Sequence, residues 1–235
     1  MKARKFIPAL MALMWLTPAF AMPISDPPSH NPTSAYIYNG WTTSDGLPQN
    51  SVTSIVQTQD GYLWLGTFGG LARFDGIKFT VYETGKAEGL KSNRIRALCE
   101  DRRGALWIGT EVGGLTRLLN GEFTTYTREN GLPSDNVATI FEDRSGTLWL
   151  GSSEGLTRFE DGRFTTYTTK DGLFGNIVTA ITQDREGRLW VCAGGRLTRF
   201  DAGVFTTYSS REGFPGKGSL SVYAARDGSL WVGTH

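Results

Sequence analysis

The hydrophobic pattern of this chain consists of short apolar runs separated by glycine-containing turns. In Leu63–Leu65 the apolar side chains follow one another without alternation, and a strand-like run, Val52–Gln57, precedes them across an Asp60-Gly61 turn. Neighbouring side chains of a β-strand point to opposite faces of its sheet, so an unbroken apolar run predicts a strand that is covered on both faces. A helix would instead space its apolar positions by three and four residues. The pattern therefore predicts an all-β protein of short, buried strands.

The same pattern recurs along the chain as one repeat. Its centre is a Gly-x-Leu-Trp-aliphatic segment, and the tryptophans stand 43, 42, 41 and 41 residues apart: Trp64, Trp107, Trp149, Trp190 and Trp231. A Gly-Leu or Gly-Phe pair and an Arg-Phe or Arg-Leu pair keep the same period. Four strands in such a period are typical of a β-propeller blade, whereas leucine-rich repeats run at roughly 20–29 residues. Because a blade is sandwiched between neighbouring blades, we assign the five tryptophans to inter-blade packing rather than to ligand stacking.

Each unit is expected to hold four strands, A to D. The units lie near residues 42–82, 83–126, 127–167 and 168–208, and a partial unit at 209–235 holds strands A and B. The C–D turns Asn120-Gly121 and Asp161-Gly162 are pairs that accept the positive φ of a type I′ hairpin. We expect Tyr36–Trp41 to be a lone D strand. About 4.5 blades are then present, no C strand closes the ring, and the chain is expected to be a truncated part of a larger propeller.

The first 21 residues have the layout of a secretory signal peptide. Three basic side chains precede an uncharged stretch that ends in Ala19-Phe20-Ala21, an A-x-A cleavage pattern. The alternative is an uncleaved membrane anchor, but three prolines interrupt the stretch and a polar linker follows it. Residues 1–21 are thus predicted to be the signal peptide, 22–34 a Pro/Ser linker and 35–235 the repeats. The protein is expected to be exported to the periplasm.

Charge and composition narrow the class of protein further. The chain has 24 basic and 23 acidic side chains, and removal of the predicted signal peptide leaves 21 and 23, a net charge of −2. A nucleic-acid-binding domain would show a basic excess, so nucleic acid is not an expected partner. The thirty glycines fit many tight turns between strands. Cys99 and Cys192 fall in different repeats and on different strands, and we expect two separate thiols rather than a disulfide framework.

Few residues suit catalysis or metal binding. The two histidines, His30 and His235, stand in the linker and at the last position, which leaves none in the repeats for a Ser-His-Asp triad or a histidine metal site. We therefore predict no catalytic residue, no metal site and no cofactor. An arginine also recurs in strand C: Arg73, Arg117, Arg158 and Arg199. We expect it to have a structural role and to pair with a recurring acid such as Asp101 or Asp143.

Candidate ligand-binding residues lie in the loops that vary over the constant strands. The B–C and D–A connections emerge at one end of a propeller, and loops on a rigid scaffold commonly carry binding residues. The candidates from the B–C loops are Phe68, Glu111, Val112, Ser153, Glu154 and Arg196; those from the D–A loops are Gln49, Lys91, Asp135, Phe174 and Lys217. Unconstrained loops vary in the same way, so this alternative stays open. The recurring Asn50, Asn93, Asn136 and Asn176 are expected to form turns.

The repeats resemble the two-component regulator propeller (Reg_prop) family. The residues that carry the resemblance are Asp45–Val52, Asp60–Thr67 and Gly70–Gly76, and Asn130–Val137 repeats the first of these closely. The resemblance covers Tyr36–His235 and implies an extracytoplasmic sensor region with seven-bladed rings. In the family an immunoglobulin-like module, a transmembrane helix and a cytoplasmic histidine kinase or diguanylate cyclase commonly follow. This chain is expected to lack that output, and so not to be an enzyme itself.

The resemblance also implies partners. They are a small molecule or oligosaccharide of unknown identity, and, in a full-length parent, further blades and membrane-linked signalling domains; a dimer is also allowed. The expected function is a periplasmic ligand-sensing module of a two-component or cyclic-di-GMP signalling receptor. The alternative is a protein–protein interaction scaffold with no small-molecule ligand, and an enzyme is the third hypothesis.

Overall fold

The computed structural model describes residues 4–6, 39–86, 89–209, 211, 214 and 218–234. Within these ranges the chain forms nineteen strands in five separate antiparallel sheets, of which four have four strands and one has three. Each four-stranded sheet takes its strands in chain order, A-B-C-D. The all-β prediction and the division into four-stranded blades are therefore confirmed. In the same ranges, no helix has both the length and the apolar character that a membrane crossing requires.

The strands follow the repeat along the chain. Blade 1 holds β2 (Val52–Gln57), β3 (Leu63–Thr67), β4 (Leu71–Phe74) and β5 (Phe79–Tyr82). Blade 2 holds β6 (Ile95–Glu100), β7 (Leu106–Thr110), β8 (Leu115–Leu119) and β9 (Glu122–Tyr126). Blade 3 holds β10 (Thr139–Glu142), β11 (Leu148–Gly151), β12 (Leu156–Glu160) and β13 (Arg163–Tyr167). Blade 4 holds β14 (Val178–Gln183), β15 (Leu189–Ala193), β16 (Arg196–Asp201) and β17 (Val204–Tyr208). Blade 5 holds β18 (Ser219–Ala224) and β19 (Leu230–Thr234).

The C–D turns of blades 2 and 3 have the backbone conformation that the sequence predicts. Asn120 (φ 53°) and Gly121 (φ 84°) form one turn, and Asp161 (φ 49°) and Gly162 (φ 75°) form the next. Both residues of each pair have positive φ, as a type I′ hairpin requires. Blade 4 makes the same turn with Ala202 (φ 47°) in the first position, where a Cβ is unfavourable.

The recurring Gly-Leu pair ends a one-turn 3-10 helix between blades. These helices are Thr43–Asp45, Arg128–Asn130 and Thr169–Asp171. The glycine after each one is left-handed, with φ of 98°, 88° and 98°, a conformation that other residues rarely adopt. The following leucine then turns inward and is buried in each case. In the recurring Gly-Leu pair, the glycine therefore ends the 3-10 helix and reverses the chain, and the leucine packs in the core.

Strand B forms the buried centre of each complete blade. All five residues of β7 and of β15 are buried, and the core clusters combine residues from neighbouring blades. Trp107 contacts Phe159 of blade 3 edge-on with ring centroids 5.6 Å apart, and Trp149 contacts Phe200 of blade 4 in the same way at 5.5 Å. The apolar run without alternation is thus explained by burial on both faces.

Hydrogen bonds also join each blade to the next. Arg102 donates from Nη2 to the carbonyl of Asp143 at 2.6 Å and from Nη1 to the carbonyl of Arg144 at 2.8 Å. Arg144 repeats this one blade further, donating to the carbonyl of Arg185 at 2.6 Å. Because the acceptors are backbone atoms of the following A–B turn, these arginines fix the stacking of consecutive blades.

The third strand of blade 5 is not the D strand that was predicted at Tyr36–Trp41 but a strand near the start of the chain. β1 (Arg4–Phe6) pairs antiparallel with β19, at the edge that strand C takes in the other blades. Of the segment expected to be a lone D strand, Tyr36–Tyr38 lie outside the described residues, and Asn39–Trp41 are not in a strand. Trp41 nevertheless contacts Phe74 at 5.1 Å, which is the contact that Tyr126 makes with Phe159 two interfaces later. Its side chain therefore takes the position of a D-strand tyrosine.

Candidate functional site

A buried aspartate supports the strand B tryptophan in the three middle blades. It stands six residues earlier, at the A–B turn, and accepts a hydrogen bond from the indole Nε1 at 2.7–2.8 Å; the pairs are Asp101–Trp107, Asp143–Trp149 and Asp184–Trp190. The other carboxylate oxygen of Asp101 accepts from the backbone N–H of Arg103 and Ala105, both at 2.9 Å. One side chain thus holds the turn and orients the indole. Thr58 and Ala225 occupy this position in blades 1 and 5.

Hydrogen bonds keep two of these carboxylates, Asp143 and Asp184, in the charged form. Burial alone raises the pKa of Asp143, but hydrogen bonds from Ser145, Trp149 and Thr147 outweigh it and leave the pKa below the ordinary 3.8. Burial likewise raises the pKa of Asp184, and hydrogen bonds from Trp190 and Arg188 bring it below 3.8. A buried carboxylate that accepts several hydrogen bonds stays ionised for this reason.

The recurring arginine of strand C does not pair with these aspartates. The described partners of Asp101 and Asp143 are backbone N–H groups, indoles and, for Asp143, the hydroxyl of Ser145. The expected pairing is therefore wrong, because the tryptophan directly opposite the arginine lies between them: Trp107 pairs with Arg117 and Trp149 with Arg158 across the sheet. The Arg117 guanidinium lies 5.8 Å from the Trp107 ring centroid instead.

The B–C and D–A loops meet at one end of the propeller, as predicted. A Cβ added to Gly69 of the first B–C loop would lie 2.9 Å from the carbonyl oxygen of Pro48 in the D–A connection. A Cβ added to Gly113 would lie 2.9 Å from Lys91 and 2.8 Å from Ser92 in the next connection. The two kinds of loop are therefore in direct contact. We call the surface that they form the loop face, and it carries ten of the predicted candidates within the described residues; Lys217 lies outside them.

One cluster of the loop face joins blades 1 and 2. Gln49 Oε1 accepts a hydrogen bond from the backbone N–H of Phe68 at 3.0 Å. The Arg94 guanidinium lies over the Phe68 ring, 4.5 Å from its centroid, and pairs with Glu111. The hydrogen bond from Arg94 holds the pKa of Glu111 below its ordinary 4.5. Arg94 was not among the predicted residues, although its position in a variable loop could have indicated it.

A second cluster of the loop face lies on blade 4. The Arg196 guanidinium lies 4.7 Å from the centroid of the Phe174 ring, and 46 % of Phe174 is exposed. Gly175 and Gly194 touch beneath the ring, so the D–A and B–C loops meet here without side chains between them. This places an exposed aromatic ring beside a cation on a closely packed base.

One further candidate, Asp135, holds a loop through its side chain. Asp135 Oδ1 accepts from the backbone N–H of Arg128 at 3.0 Å. Asn50, Asn93 and Asn176 make the equivalent bond in the other connections, which bears out their turn-forming role. Asn136 does not make this bond, since Asp135 has taken its place in that repeat. Glu154 lies 3.9 Å from Arg128, while Ser153, Lys91 and Val112 are exposed.

Cavities lie elsewhere on the described surface. One of about 680 Å³ lies between strands β5 and β9 and is lined in part by Tyr82, Lys86 and Phe123. One of about 430 Å³ lies at the C–D turn of blade 3 beside Arg158 and Glu160. A narrower cleft of about 280 Å³ enters between blades 1 and 2 from the end opposite the loop face. None of the ten predicted loop-face residues lines these three cavities, although Lys86 and Gly89 of a D–A connection line the first.

The cysteines occupy separate strands, as expected. Cys99 is half-buried on β6 and Cys192 is buried on β15. Burial raises the pKa of Cys99 to about 11, so its thiol stays protonated near neutral pH. Within the part of the chain that the structure describes, no group of three or more His, Cys, Asp or Glu side chains could hold a metal ion.

The fold and its repeats define a class: a β-propeller built from four-stranded blades with a central tryptophan strand. Residues 46–69, 89–112, 131–154 and 172–195 each match the family model described as two component regulator propeller. These four segments are therefore repeats of the two-component regulator propeller family.

Similar proteins agree with this assignment. Over 49 residues, 21 % of this chain, it is 45 % identical to histidine kinase P4 of Formosa agariphila, but it spans only 4 % of that protein. The extracellular domain assigned to the hybrid two component system BT4673 of B. thetaiotaomicron is 26 % identical with a TM-score of 0.67. That of BT3049 is 23 % identical with a TM-score of 0.72, and shows the fold. Each match covers 78 % of this chain but only 28 % and 26 % of the two domains.

Proposed function

We propose that this chain is the extracytoplasmic, ligand-sensing propeller module of a two-component or cyclic-di-GMP signalling receptor. The observation that carries the proposal is the family match in four successive repeats, supported by likeness to the extracellular domain of a hybrid two component system. Because the chain spans about a quarter of such domains, we propose that further blades and a kinase or cyclase output belong to a longer parent. The module itself is proposed to be non-catalytic.

The loop face is the proposed ligand site. Its variable residues stand on a rigid base, and at Phe174–Arg196 an exposed ring lies beside a cation. An aromatic face offers a surface for a sugar ring or another flat group, and a guanidinium offers several hydrogen-bond donors. A small molecule or an oligosaccharide fits this combination. Phe68 and Arg94 provide a second platform of the same kind on blades 1 and 2.

A thermal-shift screen of small molecules and oligosaccharides against the full chain tests this function. We expect at least one compound to raise the melting temperature of the wild-type protein and of Ser153→Ala, a neighbouring exposed control. The same compound should fail to stabilise Phe174→Ala and Arg196→Gln. A compound that stabilises all four proteins equally would remove the ligand site from the loop face.

A protein–protein scaffold is the second candidate function. The observation that favours it is the exposed apolar surface of the loop face, where Val112 and Ile177 are 67 % and 63 % exposed. Exposed apolar patches commonly mark protein contacts. A screen without any stabilising compound, together with a protein partner that Val112→Ser and Ile177→Ser fail to bind, would support the scaffold instead.

Export to the periplasm is the third part of the proposal. It rests on the basic start and the A-x-A pattern of residues 1–21. Mass spectrometry of the exported protein should find a mature chain that begins at Met22 and therefore lacks β1, the strand that pairs with β19 in the full chain. A retained Met1 in the exported fraction would contradict cleavage.

A further inference from the structure

Blade 1 lacks the aspartate that supports the tryptophan in the middle blades. Thr58 stands in its place in an otherwise equal turn: Gly61 N–H donates to the Thr58 carbonyl at 2.8 Å, as Gly104 N–H donates to the Asp101 carbonyl at 2.9 Å. Trp64 is 5 % exposed, and its Nε1 donates no hydrogen bond to any residue that the structure describes; the fully buried side-chain atoms without a partner are Arg117 Nε and Arg199 Nε, so the Trp64 N–H is not among them. An indole N–H that elsewhere meets a carboxylate is therefore left with an open position.

The same interface also lacks an aromatic ring. Phe159 and Phe200 fill the space against the preceding tryptophan at the next two interfaces. Leu118 occupies their position between blades 1 and 2 and is shorter than phenylalanine. The cleft of about 280 Å³ lies at this place and is lined by Trp64, Leu118, Tyr82 and Phe123, among others. Two departures from the repeat thus coincide at one cavity.

Charged groups of both signs line the cleft. The Arg73 guanidinium lies 4.4 Å from the Tyr62 ring centroid and 5.8 Å from that of Trp64. Among the described residues it forms no ion pair or hydrogen bond. Two carboxylates, Asp60 and Glu100, stand on the same walls. Glu100 accepts from the Gln59 backbone N–H with both oxygens at 3.0 Å, and Asp60 Oδ1 accepts from Thr58 Oγ1 and from the Tyr62 backbone N–H at 3.3 Å.

We propose that this inter-blade cleft binds a small zwitterion, an α-amino acid with an apolar side chain. Its carboxylate accepts from Trp64 Nε1, in the place that the aspartate carboxylate has in blades 2 to 4. The Arg73 guanidinium, on the other side of the indole, adds positive charge to the same cleft. Its ammonium group faces the carboxylates of Asp60 and Glu100. Its side chain lies against Leu118, Phe123 and Tyr82. A ligand with only one of the two charges would leave one sign of the lining uncompensated.

The site is independent of the loop face, since it opens at the opposite end of the propeller. The A–B and C–D turns form its mouth, through Gly104, Asn120 and Gly121. Variants of the two sites can therefore be compared in one binding experiment. Phe174→Ala should leave amino-acid binding unchanged, and Arg73→Gln should leave any loop-face ligand unchanged.

Isothermal titration of the full chain with L-phenylalanine and L-leucine tests the ligand class. We expect saturable binding of at least one, with binding of 3-phenylpropionate and phenethylamine, the single-charge analogues of phenylalanine, at least tenfold weaker. The Nε1 resonance of Trp64, identified by its loss in Trp64→Phe, should shift during the titration. Absence of binding by both amino acids, or equal binding of either analogue, overturns the proposal.

Three variants test the site, and one serves as a matched control. Thr58→Asp supplies the missing carboxylate and Leu118→Phe the missing ring, so both should reduce affinity at least tenfold while melting no earlier than wild type. Arg73→Gln should weaken binding similarly. Arg158→Gln alters the same strand position in blade 3 and should bind as wild type does. Undiminished binding by folded Thr58→Asp and Leu118→Phe would place the ligand elsewhere.

Discussion

The middle blades and the end blades carry the same repeat but have different surroundings. In blades 2 to 4 the strand B tryptophan is 3–4 % exposed and bonded to a buried aspartate. In blade 5 Trp231 is 39 % exposed, and its Nε1 donates to Ser229 Oγ at 3.1 Å. On blade 1 the first strand shows the same effect, because Ile55 is 62 % exposed while its counterpart Leu98 is buried against Trp64. Burial is therefore supplied by the neighbouring blade, and each face of a blade is complementary to the opposite face of the next.

The largest expected difference is the response to loss of the tryptophan. Trp149→Ala opens a cavity between two covered faces and should reduce the free energy of unfolding by about 3–5 kcal/mol. Trp231→Ala removes a partly exposed ring and should reduce it by less than half as much. Denaturant unfolding of the two variants measures this. Equal losses would mean that the end blade is covered in solution.

The buried aspartate should matter next. Asp143→Ala leaves the Trp149 indole N–H and two turn amides without their acceptor, and should reduce the free energy of unfolding by about 1–3 kcal/mol. The converse change, Ala225→Asp, offers blade 5 the missing carboxylate and should stabilise it by no more than about 1.5 kcal/mol. Thermal unfolding compares them. A neutral Asp143→Ala would show that packing alone orients the indole.

Acid should weaken the middle blades selectively. The folded pKa of Asp143 and of Asp184 lies below the unfolded value near 3.8, so their contribution is complete above that pH and is lost as the pH falls through the folded pKa. Stability should therefore fall below about pH 4, and Asp143→Asn should show a shallower fall than wild type. Melting temperatures measured from about pH 6 to pH 3 test this. If the two proteins lost melting temperature in parallel as the pH fell, Asp143 would be excluded as a source of the acid destabilisation.

The smallest expected effect concerns the C–D turn of blade 4. Ala202→Asn places a residue that tolerates positive φ where blade 2 already has Asn120, and should stabilise the protein by about 0.5–1 kcal/mol. Asn120→Ala is the matched change in blade 2 and should lose a similar amount. Differential scanning calorimetry of both variants measures the pair. Effects of the same sign would show that the turn backbone is not the cause.

Much of the fold could be predicted because the same blade pattern occurs several times in the sequence. The strand order, the type I′ turns at Asn120 and Asp161 and the meeting of the two kinds of loop follow from local pattern and from antiparallel geometry. The Asp143–Trp149 bond could not, since its partners lie on either side of a turn and only the strand pairing brings them together. The same pairing places Trp149 opposite Arg158, which separates that arginine from the aspartate.

The candidate sites were predictable to a smaller extent. Variable loops indicated Phe174 and Arg196, but sequence spacing could not show that their ring and guanidinium stack. Asp135 stays a predicted binding residue, and the structure adds that it fixes a turn, because this repeat shifts the role of the turn asparagine by one position. The inter-blade cleft depends on what Thr58 and Leu118 lack relative to the repeat. The absence of an aspartate at one position and of a phenylalanine at the other could be interpreted only once the structure showed the side chains around them.

The arginine contacts between consecutive blades have a consequence for how the molecule opens. Arg102 joins blade 2 to blade 3 and Arg144 joins blade 3 to blade 4, so within the described residues these arginine bonds run between adjacent blades. Unfolding of such a linear array follows nearest-neighbour cooperativity and begins at the ends. Amide hydrogen exchange should then be slowest in β11 of blade 3 and become faster toward β3 of blade 1 and toward β19 of blade 5.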